Sequence, residues 1–188
     1  MSEIKSAQSA ALSIAPARRP GSLRWFIPVL IALASVAIGM ATGQVNYRSV
    51  HITLHPHAPD LGLLMAQPPV IQIHLLAALA AIGLGGVMML SRKGRAFHRA
   101  MGWVWVSLMA LVAGSSLFIT GLNGDRWSFI HLLSGWTLLV LPLAVLAARR
   151  HQVKRHRGTM MGLFYGGLLL AGALAFIPGR LMWNLFLG

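Results

Sequence analysis

No cysteine occurs in this chain, and its acidic residues number only three: Glu3, Asp60 and Asp125. The lack of cysteine excludes disulfides, thiolate metal ligands and a cysteine nucleophile. All three carboxylates fall outside the long apolar runs of the sequence. The membrane-buried Asp or Glu that many proton-coupled transporters use is therefore absent, which disfavours a transporter. Hydrolytic sites built from paired carboxylates, or from Ser, His and Asp, are also hard to assemble.

Charged residues make up only 10% of the chain, whereas hydrophobic residues make up 56%. Soluble domains contain about a quarter charged residues, so this composition predicts an integral membrane protein. A run of about 20 apolar residues crosses a hydrocarbon core of about 30 Å as an α-helix. The predicted fold class is therefore all-α, a membrane helical bundle with five transmembrane helices. The five runs are Trp25–Gly43, Val70–Leu90, Ala100–Thr120, Trp127–Ala148 and Thr159–Ile177.

The formal net charge of +13 comes from 16 Lys and Arg residues whose positions argue against nucleic-acid binding. All but three lie before the first apolar run or in the turns "RKGRAFHR" (92–99) and "RRHQVKRHR" (149–157). This asymmetry follows the positive-inside rule, which predicts a cytoplasmic N-terminus and a C-terminus outside. The same basic turns would suit the anionic headgroups of the lipid bilayer.

Two regions differ sharply in composition. Residues 1–22 are rich in Ser, Ala and Pro, which predicts a disordered cytoplasmic tail, and residues 23–188 are predicted to form the five-span membrane domain. The first apolar run is longer than the core of a signal peptide, about 7–15 residues, which favours a retained helix.

Within the membrane domain, residues 70–120 and 127–177 are predicted to be tandem repeats of one helical hairpin. Both hairpins begin outside and turn inside, so they are parallel repeats related by an axis roughly along the membrane normal. Together they would form a four-helix core. The histidines that superpose in the two repeats are His74 with His131 and, after one additional loop residue, His98 with His156.

This duplication suggests a chemical role for the four histidines. Equivalent positions of the two hairpins would face each other, with one pair near the outer surface and the other near the inner surface. Two imidazoles on facing helices are what bis-histidine ligation of haem b needs, which predicts one or two haems with these histidines as iron ligands. For any one histidine alone, a helix cap, an interhelical hydrogen bond or a place in a solvated turn is the plainer interpretation. The duplicated pairs favour haem.

Two arginines follow the inner histidines directly in the sequence, Arg99 after His98 and Arg157 after His156. Guanidinium groups pair well with carboxylates, so these two are candidates for binding haem propionates. The alternative is that they only add to the positive charge that retains the turns inside.

The layout resembles that of the di-haem transmembrane cytochromes b561. Their four-helix core carries outer, inner, outer and inner histidines on successive helices. The resemblance covers residues 70–177 in spacing and topology with little identity, and it implies that the first and third histidines share one haem and the second and fourth the other. It requires the third and fifth helices to begin before Gly102 and Gly158. The matching segments are "QIHLLAAL" with His74, "AFHRAMGW" with His98, "FIHLLSGW" with His131 and "KRHRGTMMG" with His156.

The motif "HR-x-x-G-W" at 98–103 and the five-span layout also resemble an uncharacterised bacterial family of membrane proteins, domain of unknown function 2306. That resemblance implies no activity. It does imply residence in a bacterial inner membrane.

A further group of histidines lies in "HITLHPHA" (51–58), where His51, His55 and His57 offer imidazole nitrogens to copper or zinc. With no cysteine and no carboxylate nearby except Asp60, a polar outer loop is the favoured interpretation.

The leading hypothesis is a membrane-embedded b-type haem protein that passes electrons within or across the membrane, from a quinol or a small reductant. The alternative is a non-redox scaffold or an assembly factor for a respiratory complex, in which the repeat serves packing. In a homodimer the same histidine pairs would form between chains.

Overall fold

The computed structural model describes residues 55–120, 129–178 and 180–188, together with the single helical positions Leu30 and Ala34. Helices and their connections account for these ranges, which contain no β-strand. The predicted tail 1–22, the remainder of the first apolar run and the connection 121–128 lie outside the described residues.

Three described helices are long and apolar enough to cross a membrane. They are α2 (Pro69–Leu90), α3 (Ala96–Ser116) and α4 (Phe129–Arg149), and a short helix α1 (Leu61–Met65) precedes them. The second apolar run matches α2 closely. The third is displaced, because the helix begins at Ala96, directly after an extended Arg95 and a left-handed Gly94. Its first turn therefore contains residues that hydropathy alone assigns to the basic turn.

The fifth apolar run is helical but not uniformly α-helical. Helix α5 (Val153–Gly162) continues directly into a π-helix, π1 (Leu163–Leu170), and then into α6 (Ala171–Leu174). No single one of these segments reaches the length of a span, so three spans are counted by length and composition in the described ranges. π-Helical turns are rare and occur frequently at functional sites. A final short helix, α7, covers Leu181–Phe186.

The turn after α2 and the turn after α4 each contain one residue with left-handed backbone. Gly94 has φ +82° between α2 and α3, and His151 has φ +56° between α4 and α5. The second turn is a Schellman motif: the His151 N–H donates to the Ala148 carbonyl, and the Gln152 N–H donates to the Ala147 carbonyl. These caps let each pair of helices reverse direction within a few residues.

The long helices contact one another in a ring. Helix α2 packs against α3, α3 against α4, α4 against α5 and π1, and π1 returns to α2. Helices α2 and α4 therefore stand across the ring from each other, as do α3 and the α5–π1 segment. The buried core between them consists of Ala81, Trp105, Met109, Leu141, Leu163, Phe164 and Leu168.

The tightest packing in this core surrounds Gly85 of α2. A Cβ atom at Gly85 would overlap the ring of Phe164 and would lie 2.9 Å from Nε1 of Trp105. That indole N–H donates to the carbonyl of Ala81 at 3.0 Å, so the one polar atom of the tryptophan is satisfied inside the core. Helices α2 and α3 and the π-helix are thus held together at the middle of the bundle.

The segment before α1 pairs with the end of the chain. The amide N–H groups of His55, His57 and Asp60 donate to the carbonyls of residues 187, 186 and 185, each at 3.1 Å. Asp60 also caps α1, because its Oδ1 accepts from the Leu63 N–H at 3.0 Å. These bonds fasten the extended segment 55–60 to α7.

Candidate functional site

All four histidines of the predicted pairs lie near the start of a helix. Because α3 begins at Ala96 and α5 at Val153, His98 and His156 are helical residues and not members of the basic turns. The requirement that these helices begin before Gly102 and Gly158 is met. The four are His74 in α2, His98 in α3, His131 in α4 and His156 in α5.

Each histidine continues the buried stripe of its own helix. On α2, His74 is followed at helical spacing by the buried residues Ala77, Ala81 and Gly85. The other three helices repeat the pattern, so the four histidines share the inward faces of the bundle. The buried residues at helical spacing from them are Trp105 and Met109 after His98, Ser134, Thr137 and Leu141 after His131, and Leu163 after His156.

The ring of helices places the members of each predicted pair on diagonal helices and at the same end of the bundle. His74 and His131 lie at the end where α2 and α4 begin, and His98 and His156 lie at the other end. The latter end is the one where α3 and α5 begin.

The ring of His74 is held by the neighbouring helix. Its Nδ1 lies 3.0 Å from the Val112 carbonyl oxygen and 3.0 Å from Ser115 Oγ. A carbonyl oxygen can only accept, so we assign the proton of the neutral imidazole to Nδ1 from these partners. The Ser115 hydroxyl gives its own proton to the Leu111 carbonyl at 2.6 Å, so its oxygen too can accept from Nδ1. The other ring nitrogen, Nε2, then keeps a free lone pair.

The ring of His156 is held in the same manner at the other end of the bundle. Its Nδ1 lies 2.9 Å from the carbonyl oxygen of Ala144 on α4. The same reasoning puts the proton on Nδ1 and the lone pair on Nε2. Histidines that bind metals usually donate their second ring N–H to a backbone carbonyl or a carboxylate, which fixes the tautomer and the orientation of the ring. His74 and His156 both have this arrangement.

The remaining two histidines are enclosed differently. His131 is the most buried of the four, with 3% of its surface exposed. His98 is half-buried, and its Nδ1 is fully buried without a hydrogen-bond partner among the described residues. A buried polar atom without a partner is rare in proteins and often marks a place where a bound group belongs.

Sequence reasoning missed a group of serines at the end of the bundle that holds His74 and His131. Ser115 and Ser116 are consecutive on α3: the first contacts His74, and Ser116 Oγ lies 2.7 Å from Ser134 Oγ on α4. Ser134 is one turn from His131 on the same face. The signal was the pair of hydroxyls in "AGSS" (113–116), because polar side chains inside an apolar span commonly hydrogen-bond between helices.

The two predicted propionate-binding arginines, Arg99 and Arg157, are exposed and directly follow His98 and His156. The Arg99 guanidinium donates from Nη1 to the Gly94 carbonyl at 3.1 Å, which holds its stem along the turn. Arg149, which the sequence analysis assigned only to the positive charge of the basic turn, lies over the ring of Trp103 with 5.6 Å to the centroid.

The histidine group at 51–57, for which a polar loop was favoured over a copper or zinc site, has only two members among the described residues, since His51 lies outside them. His57 places Nδ1 2.7 Å from the Ala58 carbonyl oxygen and Nε2 3.1 Å from that of Gly188. In the described ranges no three histidine or acidic side chains come together as a metal site. A bis-histidine haem site needs only two imidazoles, so that finding bears on the loop and not on the helix pairs.

Comparison with known proteins gives one match. Residues 71–187 match the profile of a family described as predicted membrane protein (DUF2306). No curated protein and no solved structure matches the chain.

Proposed function

The chain belongs to the DUF2306 family of predicted membrane proteins, and from the geometry of its histidines we propose that it is a membrane-embedded b-type haem protein. It would pass electrons within or across the membrane. The three helices of spanning length, α2, α3 and α4, support its location in a membrane. The proposed iron ligands are His74 with His131 and His98 with His156.

The observation that carries this proposal is the pair of bonds from imidazole Nδ1 to backbone carbonyls. His74 donates to Val112, and His156 donates to Ala144, each on a neighbouring helix. Both bonds leave Nε2 as the nitrogen that can coordinate iron, and both stop the ring from rotating.

The donor set fits a b-type haem at both ends of the bundle. Bis-histidine ligation requires one neutral nitrogen on each side of the porphyrin and no cysteine, and this chain contains none. The buried, unpartnered Nδ1 of His98 supports a bound group at the inner end. When bound, haem b supplies an iron centre that accepts and releases one electron.

Side chains of this protein would do the remaining work of the site. The imidazoles would hold and orient the cofactor, and Arg99 and Arg157, which directly follow His98 and His156, would neutralise its propionates. Between the two ends, Trp105 and Phe164 help to fill the core and exclude water. An electron carrier of this kind needs no general acid or base, which suits a chain with only three carboxylates.

The finer topology belongs to the same proposal. We place five spans in a bacterial inner membrane, with the N-terminus in the cytoplasm and the C-terminus outside. The last four spans would be two parallel hairpin repeats whose core resembles that of cytochrome b561. The ring of helices and the basic inner turns support this arrangement. The proposed electron donor is a quinol or a small reductant, and a homodimer or a respiratory complex would be a suitable assembly.

The deciding experiment is a dithionite-reduced minus air-oxidised absorption spectrum of the detergent-purified full-length protein, with haem quantified per chain. The expected result is a sharp α band of b-type haem at one or two haems per chain. A colourless protein, expressed with ample haem supply, would overturn the proposal. The non-redox scaffold or assembly factor would then be the better account, with the paired histidines serving helix packing.

A further inference from the structure

A groove of about 430 Å³ opens between α2 and α3 at the end of the bundle that holds His74. This volume lies in the range of ordinary small-molecule sites, about 300–1,000 Å³. Its lining contains no charged side chain. The lining residues are Val70 and Ile73 from α2, and Ala110, Leu111, Gly114 and Ser115 from α3, with Phe118 beyond its end.

The groove faces the side of the helices that would meet lipid. Ile73, Leu111 and Phe118 are exposed by 48%, 46% and 75% of their surfaces. Gly114 keeps the groove open, because a Cβ placed there would have no atom within 4 Å. An uncharged molecule dissolved in the bilayer would therefore suit this groove.

Ser115 supplies the one polar side chain of the lining, and its chemistry restricts the occupant further. Its hydroxyl donates to the Leu111 carbonyl at 2.6 Å, so towards a ligand its oxygen can only accept. A matching ligand must carry a hydroxyl donor at one end of an apolar body. The same oxygen lies 3.0 Å from Nδ1 of His74, so that donor would sit beside a proposed haem ligand.

We infer that this groove binds the headgroup of a membrane-dissolved quinol, in its reduced form. The uncharged aromatic ring and tail of the quinol would pack against the apolar wall of the groove. One ring hydroxyl would donate a hydrogen bond to Ser115 Oγ. The oxidised quinone has no hydroxyl and lacks this donor. The inference rests on the proposed function and names the electron donor of the outer site.

The stoichiometry of the electron transfer is consistent with this assignment. Oxidation of a quinol to the quinone releases two electrons and two protons. Each reduction of a ferric haem iron to the ferrous state takes one electron, so two such reductions balance one quinol. The protons would leave at the end of the bundle where the groove lies, next to the aqueous phase.

The test uses the full-length protein with its haem, in lipid nanodiscs, and a photoreactive azido derivative of a decyl benzoquinol. Labelled peptides are identified by mass spectrometry, and binding is measured with and without excess unlabelled quinol. Gly114→Leu fills the groove from a position with free space around it. Gly83→Leu is the matched control, because it adds the same side chain to a helical glycine that also has no atom within 4 Å of a Cβ.

We expect labelling within residues 110–118 that excess quinol removes. Gly114→Leu should weaken quinol binding by at least about tenfold through steric exclusion, whereas Gly83→Leu should not. Stopped-flow reduction of the haem by decyl benzoquinol should slow in the same variant, while dithionite should reduce all variants alike.

Two outcomes would overturn the inference. One is unchanged quinol binding in Gly114→Leu, and the other is equal labelling of the groove by a photoreactive fatty acid, which would identify a general lipid contact. Neither result would contradict the haem proposal, which fails only if the purified protein carries no haem. Because photolabelling does not depend on haem, the two failures can be told apart.

Discussion

Nδ1 of His156 lies 2.9 Å from the backbone carbonyl oxygen of Ala144, across the interface of α5 and α4. At the opposite end of the bundle, Nδ1 of His74 contacts the carbonyl of Val112 on α3. The two bonds give these two histidines the same protonated nitrogen and the same available nitrogen. Each proposed ligand pair therefore contains one histidine whose ring is fixed by a neighbouring helix.

Replacing one histidine of a pair by Phe should remove one haem. In a protein with two haems, His74→Phe should halve the haem content per chain, and His156→Phe should remove the other half, because a single imidazole no longer provides bis-histidine ligation. His151→Asn is the control, since His151 lies in the turn and Asn tolerates left-handed backbone. Haem quantification per purified chain is the measurement. Equal haem content in all variants would contradict the assignment of these ligands.

The packing around Gly85 should tolerate no side chain. Gly85→Ala would press a methyl group against Phe164 and Trp105, and overpacking of a well-filled core typically costs about 1–3 kcal/mol. Gly83→Ala, on the same helix with free space around it, should be neutral or slightly stabilising because alanine favours the helix. Thermal unfolding in detergent compares the two. A similar midpoint for both variants would show that the core relaxes around Gly85.

The left-handed turn residue His151 offers a stabilising substitution. Residues other than glycine carry roughly 1–2 kcal/mol of strain in this conformation. Glycine avoids the strain, but it loses more conformational entropy on folding, which offsets part of the gain in stability. His151→Gly should therefore raise the unfolding free energy by up to about 1 kcal/mol. His151→Ala keeps the strain and should give no gain. Chemical denaturation in mixed micelles is the appropriate assay, and an unstable glycine variant would count against the turn geometry.

The Ser116–Ser134 hydrogen bond should contribute modestly to the contact between α3 and α4. Its hydroxyl oxygens are 2.7 Å apart, and interhelical hydrogen bonds of membrane proteins average about 0.6 kcal/mol in double-mutant cycles. A cycle of Ser116→Ala and Ser134→Ala should return a coupling energy of that order. A coupling energy of zero would mean that each hydroxyl finds another hydrogen-bond partner when the other hydroxyl is removed.

Part of the fold could be predicted because the bilayer imposes it. The second apolar run coincides with α2, since a continuous run bounded by proline and by a basic turn leaves little choice of ends. The prediction of a membrane protein is confirmed by the family match and by three helices of spanning length. The start of α3 was placed too late, because hydropathy assigns a basic first turn to the loop while Gly94 and Arg95 set the actual start.

Other features had no signal in the linear pattern. The π-helix at Leu163–Leu170 follows the same hydrophobic composition as the α-helices beside it. The closeness of Gly85 to Phe164 is equally invisible, because the two residues are far apart in sequence and meet only when π1 packs on α2. In the candidate site, the histidines could be found by repeat alignment, but the serines that surround the outer pair could not be assigned to them.

By itself, the sequence determined three things: that this is a membrane protein, which segments form its basic turns, and which histidines recur. Hydropathy, charge and repetition are all properties of the linear order of residues. Only the tertiary structure decided which nitrogen of His74 and of His156 carries the proton. The acceptor of His74 lies 38 residues away on another helix, so the tautomer, and with it the nitrogen left for a ligand, exists only once the helices have packed.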